Sequence, residues 1–100
     1  MATIQTIEFD FKQANIHANR LEELANSLSG LSNNQLKTTL QGVSTSWKGE
    51  NASMYIGKGA KLQYEVDQTS RELLAIATQI RQVAKKIYIA EMEAVDIAQN

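Results

Sequence analysis

Residues 62–97, LQYEVDQTSRELLAIATQIRQVAKKIYIAEMEAVDI, decide the fold. Within them Leu62, Val66, Thr69, Leu73, Ile76, Ile80, Val83, Ile87, Ala90, Ala94 and Ile97 follow one another at alternating spacings of four and three. That rhythm is a heptad seam along one side of an α-helix. Backwards the seam continues through Gly59, Tyr55 and Ala52. One stripe therefore runs from about residue 52 to 97, roughly 70 Å of helix at 1.5 Å per residue. No globular core of a 100-residue chain is that long, so the helix must lie along another helix. Leu74, Ala77, Ala84, Tyr88, Val95 and Ala98 lie beside the seam and widen it, which predicts contact with more than one neighbour. Asp67 and Arg71 form an acid-before-base pair at i, i+4, read as a solvated face.

The first half repeats the pattern less strictly. Ala14, His17, Leu21, Leu24, Leu28 and Leu31 keep the same rhythm, and Leu36, Leu40 and Val43 resume it one residue out of phase. A slip of this kind near Ser32-Asn33-Asn34 changes how two helices wind around each other, and it predicts a long bent helix rather than a break. Asp10 followed by Gln13 resembles a capping box and predicts a helix start near residue 11. Before it, Ile7, Phe9 and Phe11 alternate with polar residues, which predicts a short extended arm.

Between the periodic halves lies Gln41-Gly42-Val43-Ser44-Thr45-Ser46-Trp47-Lys48-Gly49-Glu50-Asn51. Gly42 is suited to a left-handed residue ending the first helix, and Ser44, Ser46 or Asn51 to capping the second. Two long helices joined by a short loop pack antiparallel. The expected architecture is all-α: a single hairpin domain over residues 1–100, with helix 1 over about 11–42, a turn over about 43–50 and helix 2 over about 51–97. The apolar surface left over favours dimerisation into a four-helix bundle. Leu21, Leu24 and Leu28 on the first helix and Leu73, Ile76, Ile80 and Val83 on the second are the expected dimer or partner interface. Trp47 would cap the seam at the bend, and Gly49 would let the backbone turn tightly beside it.

The chain contains neither cysteine nor proline. Disulfides, thiolate metal sites and thiol nucleophiles are thereby excluded, and the strongest helix breaker is missing. The net charge of −1 comes with scattered lysines and arginines, which argues against nucleic acid as a partner. The start, Met1-Ala2-Thr3-Ile4-Gln5-Thr6, has neither the basic nor the apolar region of a secretory signal. No apolar run is long enough to span a bilayer. By these signals alone the chain reads as soluble and cytosolic. His17, the single histidine, is read as a packing or polar seam residue, with no second metal ligand in view. A hairpin is a convex rod without a pocket to desolvate converging groups, so catalysis is not expected. Glu22 and Glu23 would point to different sides of a helix, and no cofactor or small-molecule substrate is anticipated. The polar face lacks the lysine-rich character of a membrane-surface helix.

Trp47-Lys48-Gly49, at the centre of a 100-residue chain of two long helices without proline or cysteine, resembles the WXG-100 family. The resemblance covers nearly the whole chain. It implies an antiparallel hairpin that pairs with itself or with another WXG-type protein, and export in folded form through a type VII (ESX or Ess-type) secretion system without a cleaved signal peptide, after a cytoplasmic stage. It also implies partner docking at Trp47, Lys48 and Gly49, and possible encounters with a secreted toxin and the secretion ATPase. Many exported members carry near the C-terminus a tyrosine followed four residues later by an acid. Here Tyr88 is followed at that spacing by Met92, with acids at Glu91 and Glu93, while Met92 to Asp96 has the spacing without the aromatic. The signal at Tyr88, Glu91, Met92 and Asp96 is thus either degenerate or supplied by a partner. That departure brings in a second role, an adaptor that accompanies a larger toxin with a WXG-like N-terminal domain. The rival of another class is an intracellular structural coiled-coil hairpin in which the tripeptide is coincidental.

Overall fold

The computed structural model describes residues 3–46 and 49–99. It is all-helical, with two long helical arms. The first comprises α1 (Ile4–Gly30), a π-helical stretch (Leu31–Leu36) and α2 (Lys37–Ser46); the second is one continuous helix, α3 (Glu50–Gln99). Trp47 and Lys48, the first two members of the tripeptide, lie outside the described residues.

The first arm begins seven residues earlier than Asp10-Gln13 suggests. The start is built by Thr3 and Thr6: the Thr6 N–H donates to Thr3 Oγ1 (3.1 Å) and the Thr3 N–H donates to Thr6 Oγ1 (2.9 Å). This reciprocal arrangement satisfies two of the amide donors that a helix N-terminus leaves open. The Ile7 N–H then bonds the Thr3 carbonyl at 2.9 Å, the first helical turn. The extended arm expected over Ile7, Phe9 and Phe11 is therefore helix. Ile7 and Phe11 stand four apart, which is a helical spacing as much as a strand one. Ile7 is buried, while Phe9 is 60% exposed.

The phase slip in the first arm is a π-helical stretch. Its wider turn takes up one extra residue, so helical hydrogen bonding continues while the faces on either side stay aligned. Ser32, within it, is buried. Gly42 does not end the helix, which runs on to Ser46. Among the described residues, the one with positive φ is Gly49 (φ 106°), a conformation that costs a side chain-bearing residue more than glycine. The Gly49 carbonyl accepts from the Ser53 N–H (3.2 Å) and Ser53 Oγ (3.3 Å). The second arm thus starts on Gly49 rather than on a side-chain cap from Ser44, Ser46 or Asn51.

Two compact units make up the chain: one from the segment up to Glu22 together with that from Leu74 onward, the other Glu23–Leu73. In the first, rising numbers on α1 meet falling numbers on α3, an antiparallel pair. The Phe11 and Tyr88 rings lie 4.7 Å apart, and Arg81 donates to Asn19 Oδ1 (2.7 Å) and Glu22 Oε2 (2.6 Å). The second unit is antiparallel too. Ser70 Oγ donates to the Ala25 carbonyl (2.6 Å), and Ser32 Oγ donates to the Gln63 carbonyl (3.1 Å). A side chain at Gly59 would run into Leu40.

The buried residues are almost all small: Ala18, Ala25, Ala52, Ala77, Ser32 and Ser70 join Ile7. Ala18, Ala25 and Ser32 recur every seven residues, as do Ser70, Ala77 and Ala84. Such columns bring backbones close, with half-buried Leu21, Leu28, Leu73 and Ile80 packed beside them. Several helical hydroxyls, those of Thr45, Thr69 and Thr78 among them, bond the carbonyl four residues back in their own helix. Ser32 and Ser70 instead cross to the other arm, and each crossing fixes the register of its pair.

Candidate protein-binding face

The expected interface residues divide between two sides of the helices. Leu21 and Leu28 of α1, with Leu73 and Ile80 of α3, are half-buried in the columns that join the arms. Leu24 (51% exposed), Ile76 (44%) and Val83 (53%) are not; each stands one residue before a small member of the inner columns, Ala25, Ala77 or Ala84. The long seam read from the sequence is thus two columns. Val66, Leu73 and Ile80 serve the inner contact, whereas Leu62, Thr69, Ile76, Val83 and Ala90 form an outer row, all exposed. The sequence reading placed Ala77 and Ala84 beside the seam as a widening; what it missed is that with Ser70 they form the inner column, whose seven-residue repeat was the available signal.

Each unit carries its share of the outer row. In the first, Ile76, Val83 and Ile87 line an open groove of about 340 Å³ together with Gln79, Ile80 and, from α1, Ala14. In the second, Leu62 (49% exposed) and, on the first arm, Leu24 and Leu31 (37%) stand in water. Leaving several such side chains exposed forgoes about 1.5–3 kcal/mol for each one that a partner could fully bury. On the opposite flank of α3, Arg81 is tied to Asn19 and Glu22, while Leu74 in the same column is exposed.

The C-terminal residues have mixed surroundings. Tyr88 is half-buried against Phe11, and Glu91 borders the same recess, about 250 Å³, with Ile7, Asp10 and Ile87. Met92 is half-buried and Asp96 exposed. His17 is exposed on α1. Asp67 and Arg71 form their anticipated pair at 3.1 Å, with Arg71 72% exposed, a geometry worth little in water. Among the described residues no three acidic, histidine or cysteine side chains converge as metal ligands. No helix among them is long and apolar enough to cross a membrane. In comparisons with known proteins, no family model, no curated protein and no solved structure matches the chain.

Proposed function

We propose that this chain is a helix-pairing protein of the WXG-100 type, a substrate or co-secreted partner of a type VII secretion system that binds rather than catalyses. The observation that carries the pairing is the exposed heptad row on α3, alongside an intrachain contact made by small residues. A hairpin that closes through alanine and serine keeps its large apolar side chains for a second helical surface. The positive φ of Gly49, third residue of the tripeptide, supports the tight bend that the WXG-100 resemblance implies. Export rests on that resemblance.

The test is proteomics of culture supernatant from a strain with the secretion ATPase and from one without it. The uncleaved chain should appear only in the first. Retention in the cell pellet of both strains would sink the export reading and favour an intracellular structural hairpin.

The adaptor role is the second reading. Two features favour it: the acid-for-tyrosine spacing is off by one residue, and Tyr88 is partly covered by Phe11. Deleting this chain should then abolish secretion of a toxin encoded beside it. Undiminished toxin export would dispose of the adaptor role.

A further inference from the structure

The second unit is tight at one end and loose at the other. Residues 23–32 and 63–73 carry buried Ala25, Ser32 and Ser70 together with both serine crossings. Of the described residues between 37 and 60, only Ala52 is buried. The α2 helix has no buried residue, and within it only Leu40 and Val43 are half-buried. Its own sequence adds little support. Thr38, Thr39, Val43, Ser44, Thr45 and Ser46 are middling helix formers and Gly42 is a poor one. No packing explains that glycine, since a Cβ added at Gly42 would meet nothing within 4 Å. At 10 residues α2 is also short, and isolated helices below about 12–15 residues are marginal in water.

An irregular turn joins α2 to the rest of its arm. After the π-helical stretch Leu31–Leu36, the Lys37 N–H bonds the Asn34 carbonyl, three residues back rather than four. Such departures from the regular ladder often mark hinges. Opposite, Ile56, Gly59 and Gln63 are half-buried at spacings of three and four on the face of α3 that meets the first arm. We propose that α2 is a hinged strap: it lifts as one unit from residues 56–63 of α3, pivoting at Leu31–Leu36, while the pairing fixed by Ser32 and Ser70 stays shut. Leu40 is the catch. It sits so close over Gly59 that no side chain would fit there, and a glycine at that position lets the two backbones close. Lifting the strap gives up this seat and the cover over Val43 and Ile56, so it costs a small part of what unfolding the whole chain costs. The open form presents Leu36, Leu40 and Val43 on one side and Ile56 and Gly59 on the other, all half-buried when the strap is shut. This device is separate from the helix-pairing reading and survives its failure.

Hydrogen exchange of the full chain, followed amide by amide by NMR, tests the strap. Amides of residues 40–46 should share a single opening, at least about a hundred-fold more frequent than that of residues 66–73 and less dependent on urea. Ser70→Ala should speed exchange over 66–73 about five-fold and leave α2 unchanged, because the strap opens without breaking the Ser70 bond. Leu40→Ala should speed exchange in α2 about ten-fold, and Gly42→Ala should slow it about five-fold. If α2 exchanges at the rate of 66–73, or responds to Ser70→Ala as they do, it opens only with the whole molecule and there is no strap. Protection that declines residue by residue toward Ser46 would reduce the strap to end fraying. Residues 23–30 exchanging together with α2 would show the entire arm peeling away, without a hinge. Any of these results overturns the proposal.

Discussion

Two neighbouring columns of α3, one residue out of step, have opposite compositions. The inner column of Ser70, Ala77 and Ala84 faces the first arm, and the outer one of Thr69, Ile76 and Val83 faces water. In an ordinary globular domain the larger side chains would be inside. Here the small ones are, because two helices that meet along their length approach more closely over alanine and serine than over isoleucine. Closure of the hairpin therefore buries little apolar area per residue, and the area that could stabilise the protein most is left on the outside. Such a fold is stable in proportion to what covers it.

Breaking that contrast from the outside should have the largest effect. Ile76→Asp places a carboxylate in the exposed apolar row of α3 and removes a side chain worth about 1.5–3 kcal/mol on burial by a partner. Association with a helical partner should weaken about ten- to a hundred-fold by sedimentation equilibrium, with helix content unchanged. From the inside, Ala77→Leu forces the arms apart and should cost about 1–3 kcal/mol in urea unfolding at fixed protein concentration.

The serine crossings are subtler. Ser70→Ala removes the bond to the Ala25 carbonyl and should lower stability by about 0.5–1.5 kcal/mol, seen as a reduced thermal midpoint. Smallest is Glu22→Gln, which takes the charge from the pair with Arg81. Both side chains are about a third or more exposed, so the loss should stay below about 1 kcal/mol. It should vanish when the melts are repeated in high salt.

Much of the architecture was legible in the primary structure, and the misreadings share a cause. The second helix announced itself through more than six heptads, and Leu31 followed by Leu36, five residues on, marked the place where the first arm changes phase. Which column faces inward was not legible from hydrophobicity, because a 3-4 rhythm drawn through the largest residues shares Val66, Leu73 and Ile80 with the true contact and then departs to Thr69, Ile76 and Val83. Backbone approach, not side-chain apolarity, chose the inner column. At the N-terminus three alternating residues were too few to separate strand from helix, and two of them, Ile7 and Phe11, satisfied both. At the bend, composition offered two glycines. Gly42 is absorbed by α2 and Gly49 takes the positive φ, because Leu40 and Val43 continue the apolar face of the first arm beyond Gly42.

The π-helical stretch has a consequence for how such a chain changes length. A residue inserted anywhere else in a helical arm rotates everything after it by about 100° and turns the inner column outward. Between Leu31 and Leu36 the surplus residue is absorbed in one widened turn. Deleting Asn33 should convert the stretch to ordinary α-helix and leave Leu36, Leu40 and Val43 facing as they do now. Those six positions act as an expansion joint, where the count of residues is free to vary by one while both surfaces of the hairpin keep their orientation.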